Sequence, residues 1–170
     1  MEIKELIKKE TLNKRIEELA NQIDKDYNGQ EIVLVSVLNG ATFFSIELSL
    51  KMKSKIKNEF MKISSYEGTE STGKIKKQLD IDKEKIIGKN ILIVEDIIDT
   101  GRSMNYLINY FKERNAKDIK VCTLLSKPSR REMDVNIDYL GFEVQDKFIV
   151  GFGLDDENGF FRNLPYIGYK

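Results

Sequence analysis

The stretch Ile91–Ser103, ILIVEDIIDTGRS, constrains the fold of this chain more than any other. Ile91 to Val94 run without a polar break and are mostly β-branched. A run with no polar face suits a strand covered on both sides, as in a parallel sheet. Glu95 and Asp96 follow at once. Two more isoleucines lead to Asp99, and Thr100-Gly101-Arg102-Ser103 opens into MNYLINYF, which has helical spacing. Strand, glycine turn and helix gather free backbone N–H groups around an anion. Acids at the strand's carboxyl end stand where open α/β sheets hold ligands. The stretch thus offers a phosphate cradle beside carboxylates suited to a metal or to sugar hydroxyls. The dinucleotide fingerprint G-x-G-x-x-G and the P-loop pattern G-x-x-x-x-G-K-[ST] are both absent.

The remaining chain supplies the partners such a strand needs. Residues 2–7 read as a brief strand. Thr11 is the expected N-cap of a helix in which Leu12, Ile16, Leu19, Ala20, Ile23 and Tyr27 recur at helical spacing, with Asn28-Gly29 as its stop. Glu31–Leu38 is a second apolar strand. It breaks at Asn39-Gly40 into a helix with Phe43, Ile46 and Leu50 on one face, so a second strand–glycine–helix unit carries a second candidate anion site. Ile56–Ile63 and Ile75–Ile81 read as two strands around a polar, glycine-bearing segment, a hairpin able to close as a flexible lid. Ile119–Leu125 is a strand stopped at Pro128; residues 129–136 are polar loop, and Ile137–Gly141 is a short strand. The alternation predicts an α/β fold with a mainly parallel central sheet flanked by helices. The first and last segments, about 1–10 and 136–170, do not fit it and are expected to form a small hood over a core of about 11–135.

Composition sets the boundaries. At 170 residues the chain is expected to be one domain with a substantial core. Lys plus Arg and Asp plus Glu number 28 each, so bulk charge gives no sign of nucleic-acid binding. The single cysteine, Cys122, sits in an apolar strand and reads as an inert core thiol. With no apolar run long enough to span a bilayer and no signal segment, a reducing cytoplasm is the expected compartment. Histidine is absent, so acid–base chemistry falls to carboxylates, Lys, Tyr or the one Cys. Taken singly, Lys127 reads as a solvated strand-end lysine, Tyr66 as a surface residue, and Phe148 and Phe152 as core aromatics.

The motifs taken together point further. Glu95-Asp96-Ile97-Ile98-Asp99-Thr100-Gly101-Arg102-Ser103 resembles the phosphoribosyl-diphosphate motif of type I phosphoribosyltransferases, within them the hypoxanthine (hypoxanthine-guanine) enzymes. Leu38-Asn39-Gly40-Ala41 resembles their pyrophosphate loop, and Ser64–Gly68 with Ser71–Gly73 their flexible loop. Leu124–Lys127 resembles their purine-selecting segment. Gly141–Asp155 and Arg162–Gly168 resemble their hood. The resemblance implies a magnesium-dependent purine-salvage enzyme that joins hypoxanthine or guanine to phosphoribosyl diphosphate, giving IMP or GMP and pyrophosphate. It assigns the 5′-phosphate to Asp99, Thr100, Gly101, Arg102 and Ser103, with Asp99 also as general base. The ribose hydroxyls and metal shell go to Glu95 and Asp96, with Asp155 for a second magnesium. The purine goes to Lys127, Phe148, Ile149 and Asp155, pyrophosphate to Asn39, Gly40 and Arg162, and the lid to Ser65 and Tyr66. It also implies a homodimer or homotetramer, with no nucleic acid or membrane as partner. Two departures stand out: Asn39 occupies a place where many relatives have a basic residue, and Asp155 to Arg162 is one residue longer than the family spacing. A xanthine-preferring enzyme, and a regulator that keeps the fold without the catalysis, are the alternatives.

Overall fold

The computed structural model describes residues 2–65 and 75–170. Six strands form the main sheet in the order β4-β3-β2-β5-β6-β7. They are β2 (Ile32–Leu38), β3 (Ile56–Ser65), β4 (Ile75–Leu79), β5 (Asn90–Ile98), β6 (Asp118–Ser126) and β7 (Tyr139–Glu143). All neighbours are parallel except β3 and β4, which pair antiparallel as the expected hairpin. Helices α1 (Lys9–Tyr27) and α2 (Thr42–Lys51) cover one face; α3 (Arg102–Glu113) covers the other.

The period of two in the buried strands builds both cores. Leu34, Leu92, Val94, Cys122 and Leu124 face α1 and α2, while Val33, Val35, Ile91, Ile93 and Val121 face α3. This explains why β5 has no polar face until Glu95. Every apolar residue expected on α1 is buried. The helix nevertheless starts at Lys9, ahead of the expected Thr11 cap, and Lys8 makes no side-chain cap bond. Burial of Leu12 and Ile16 sets this start; a cap contributes only about 1 kcal/mol. Phe43, Ile46 and Leu50 do share a face of α2, but it points outward. The core takes Phe44, Ser45 and Leu48 instead, with Ser45 hydrogen-bonded to Ser36 of β2 at 2.6 Å.

A second sheet, β1-β9-β8, joins β1 (Lys4–Ile7), β9 (Ile167–Tyr169) and β8 (Ile149–Val150) into the hood. Its share of the chain is smaller than expected. Residues 139–143, placed with the hood from sequence, extend the main sheet as β7, because Tyr139 is buried in the α1 core and its hydroxyl donates to Asp26 of α1 at 2.8 Å.

Strand order decides where a ligand can go. β2 and β5 are neighbours, yet β2 leads through α2 to β3 on one side and β5 leads through α3 to β6 on the other. The loops leaving β2 and β5 therefore diverge, and the crevice between them is the topological switch point.

Candidate active site

Both glycine turns lie at this crevice. Gly101, in the left-handed conformation with φ 86°, is the N-cap of α3. A side chain there would strike the Met133 carbonyl, so the turn needs glycine for both conformation and space. Residues 95–101 with Ser103 and Met104 line a pocket of about 130 Å³ into which the first turn of α3 opens. Arg102 ion-pairs with Glu132 outside it, and its backbone N–H donates to Thr100 Oγ1 at 3.3 Å.

The acids lie within β5, which runs on to Ile98. The Asp96 N–H donates to Glu95 Oε1 at 3.0 Å, and the Ile97 N–H to Asp96 Oδ1 at 2.7 Å. Burial, and then the charge of Asp96, hold the Glu95 carboxyl well above its usual range. Burial also raises Asp96, against the Glu95 hydrogen bond and the nearby Arg162 charge. Adjacent carboxyls of this kind, Glu95 buried and Asp96 half-buried, favour a neutralising cation.

The loop after β2 closes on that pair. A Cβ on Gly40 would overlap the Asp96 carboxylate, so backbone and carboxylate are packed face to face. The Leu38–Asn39 peptide is cis, and the exposed Asn39 accepts the Thr42 hydroxyl on its carbonyl at 2.7 Å. Gly153 of the hood, with φ 105°, approaches so closely that a Cβ would strike the Gly40 carbonyl. Arg162 Nη2 donates to Asp155 Oδ2 at 2.7 Å and Nη1 to the Gly153 carbonyl at 2.5 Å. Asp96, Gly40, Gly153, Asp155 and Arg162 thus meet from three segments of the chain.

Lys127, Phe148 and Ile149 form the other end. Lys127 is buried, and its Nζ donates to the Lys147 carbonyl at 2.7 Å and lies 3.6 Å from Asp146 Oδ1. Phe148 is 49% exposed, whereas Phe152 is buried at 8%, so the two aromatics read alike from sequence have different roles. Ile149 is buried in β8. Of the lid pair, Ser65 ends β3, and Tyr66 lies outside the described residues.

Two residues missed from sequence hold the loop at Asp99. Arg131 donates from Nε to the Asp99 carbonyl at 3.1 Å, and from Nη2 to Ser126 Oγ at 2.7 Å and the Ile98 carbonyl at 3.4 Å. Arg130 pairs with the Asp99 carboxylate. The readable signal was two adjacent arginines after Lys127-Pro128-Ser129, at the edge where the crevice opens.

Comparison with known proteins agrees with this geometry. Residues 2–157 match the phosphoribosyl transferase domain family. The hypoxanthine-guanine phosphoribosyltransferase of Streptococcus thermophilus is 44% identical over 96% of this chain and 90% of its own length. The chain belongs to the hypoxanthine-guanine phosphoribosyltransferase family. Members of this family serve purine salvage by phosphoribosyl transfer to hypoxanthine or guanine. A crystal structure of the Bacillus anthracis hypoxanthine-guanine phosphoribosyltransferase, with HEPES in its active site, superposes with a TM-score of 0.93 at 44% identity, covering 99% of each chain. A bifunctional TilS/HprT protein of Listeria monocytogenes is 41% identical over 97% of this chain, which spans only 25% of that protein's length.

The donor set also bears on magnesium. Among the described residues no three carboxylate, cysteine or histidine side chains gather as a metal cage. Magnesium binds through one or two carboxylates, several waters and substrate phosphates. The all-oxygen Glu95–Asp96 pair beside an anion pocket therefore fits it.

Proposed function

We propose that this chain is a single catalytic domain that transfers the 5-phosphoribosyl group of phosphoribosyl diphosphate to hypoxanthine or guanine in the cytoplasm, yielding IMP or GMP and pyrophosphate. The observation that carries this reading is the end of β5 at the switch point between β2 and β5: a pocket at the N-terminus of α3 is lined by the acid pair, and the Lys127 N–H donates to the Ile98 carbonyl beside it at 3.0 Å.

Each residue then has a task. The backbone of Thr100 to Ser103, with the hydroxyls of Thr100 and Ser103, holds the 5′-phosphate at the positive end of α3. Glu95 and Asp96 bind the ribose hydroxyls and the magnesium shell, and Asp155 a second magnesium. Bound magnesium neutralises diphosphate charge. The loop at Asn39 and Gly40, with Arg162, receives the pyrophosphate. As the purine nitrogen bonds to the anomeric carbon and the carbon–diphosphate bond breaks, Asp99 accepts the ring proton. A carboxylate base suits a chain without histidine. Lys127 donates to the 6-oxo group and disfavours adenine, whose amino group is also a donor. Phe148 stacks on the purine, and the backbones of Ile149 and Asp155 meet its edge. Ser65 and Tyr66 belong to the lid, which keeps water from an electron-poor anomeric carbon. The outward stripe Phe43, Ile46 and Leu50 supports assembly as a homodimer or homotetramer.

A product assay tests the reading. Protein, magnesium and phosphoribosyl diphosphate are mixed separately with hypoxanthine, guanine, xanthine and adenine. Turnover of hypoxanthine and guanine but not adenine is expected. Xanthine as the best substrate would keep the mechanism and change the specificity. Binding of phosphoribosyl diphosphate without turnover of any base would overturn it in favour of the regulator.

A further inference from the structure

The turn between Asp155 and Arg162 brings its two ends into contact. Asp156 closes that turn on itself. Its Oδ1 accepts the N–H groups of Asn158 at 2.9 Å and Phe160 at 3.0 Å. Its own N–H donates to the Phe160 carbonyl, and its carbonyl accepts the Gly159 N–H, each at 3.0 Å. Gly159, at φ 84°, supplies the left-handed residue such a turn needs. The second carboxylate oxygen, Oδ2, accepts Lys170 Nζ at 2.9 Å. The Asp156 side chain is 4% exposed and that of Lys170 17%. A charge this deep is retained only when paired, so the ion pair holds the turn in one place. Lys170 directly follows β9, and its backbone N–H donates to the Phe148 carbonyl at 3.1 Å. Its ammonium also lies 3.7 Å from Glu157 Oε2 and 5.2 Å from the Phe161 ring. The turn is therefore tied to the hood sheet at a single cation.

We infer that Asp156 and Lys170 are positioning residues for the pyrophosphate side of the site. Their ion pair sets the register of this turn so that Asp155 and Arg162 face each other across Gly153. This rests on the roles proposed for Asp155 and Arg162 above, and deepens them. Neither Asp156 nor Lys170 touches substrate; both act through the pair they hold.

Steady-state kinetics with phosphoribosyl diphosphate, hypoxanthine and magnesium varied in turn test this for Lys170→Met, Lys170→Arg and Asp156→Asn, with Asp155→Ala as the reference. Asp156→Asn keeps an acceptor for Asn158 and Phe160 but turns an amide donor toward Lys170, so it loses both the charge and the acceptor of the ion pair. Loss of one charge-assisted bond is expected to raise the KM for phosphoribosyl diphosphate about tenfold in Lys170→Met and Asp156→Asn, with weaker inhibition by pyrophosphate. Lys170→Met also removes the ammonium 5.8 Å from the Phe148 ring, so the split is read from Asp156→Asn: its hypoxanthine KM should stay within about twofold, and Lys170→Arg should restore the parent values. A joint rise of both KM values in Asp156→Asn would mean a general loosening of the hood and would overturn the inference, as would no change in either. If Asp155→Ala raises the KM for phosphoribosyl diphosphate while Lys170→Met and Asp156→Asn do not, only the inference falls. If Asp155→Ala is itself silent, the proposed role of that carboxylate fails and takes the inference with it.

Discussion

Arg130 Nε lies 2.8 Å from Asp99 Oδ1, so the carboxylate proposed as the general base is already held by a guanidinium. The pair has ion-pair distance without hydrogen-bond alignment, and both side chains are partly solvated at 49% and 39%. Exposed pairs of this kind contribute about 0.2–1 kcal/mol, which corresponds to less than about tenfold in rate. Arg130→Ala is expected to change kcat within that limit, whereas Asp99→Ala should lower it about 10²–10⁴-fold. Near-normal kcat in Asp99→Ala at saturating phosphoribosyl diphosphate would remove Asp99 from the chemistry.

Arg131 binds the same loop more firmly, through two backbone carbonyls and the Ser126 hydroxyl. Ser126 is buried, so truncating the arginine strands its hydroxyl. Arg131→Ala should cost about 1–3 kcal/mol in a denaturant titration. It should also raise the KM for phosphoribosyl diphosphate, because the Asp99–Gly101 turn loses its backing. A variant of parent stability would show that the neighbouring backbone carries the loop alone.

Gly40 has no room for a side chain against Asp96. The methyl group of Gly40→Ala must push the carboxylate aside or shift the loop. Magnesium-dependent binding of phosphoribosyl diphosphate is expected to weaken at least about tenfold in calorimetry, with far-ultraviolet circular dichroism unchanged. Unaltered binding would place the substrate away from this contact.

Behind the site, the base of the hairpin is fastened to α3. The Tyr110 hydroxyl donates to Asp80, and Lys77 Nζ bonds the same carboxylate at 2.8 Å. Burial pushes Asp80 upward, but the bonds from Lys77 and Tyr110 outweigh it and hold the carboxyl below its usual value. A depressed carboxylate contributes stability above its unfolded pKa, and loses it as pH falls through the folded value. The stability gap between the parent and Tyr110→Phe should therefore be constant between about pH 5 and pH 9 and narrow below about pH 4. Thermal melts across that range decide it; a gap that widens in acid would reverse the assignment.

Leu50 is 76% exposed on the outward face of α2, in line with Phe43 and Ile46. Leu50→Glu should leave the fold intact, since no packing is lost. If this stripe lies between copies, the variant should sediment as a smaller species than the parent; equal sedimentation would place the interface elsewhere.

Much of this was legible in the residues. The run Ile91–Val94, the six buried positions of α1, the Asn28-Gly29 stop and the β3–β4 hairpin follow from period, composition and turn chemistry. Those signals act within a few residues and survive without knowledge of what lies opposite. The candidate residues at 95–103 stood out the same way, because a phosphate turn is built from consecutive backbone groups, whereas Lys127 was singled out only by the family resemblance.

What the tertiary structure alone decided concerns partners. Only the strand order put the β2 loop beside β5, so that Gly40 meets Asp96. Only packing turned Phe44 inward and Leu50 outward on α2, where the alternation of apolar residues allowed either face. β7 joined the main sheet because Tyr139 found the α1 core. Arg130 and Arg131 belonged to a polar loop in the sequence until β6 delivered them to Asp99, and only β9 carried Lys170 to Asp156. Local propensity is set by neighbours in the chain, whereas each of these contacts spans residues that only the assembled sheets bring together.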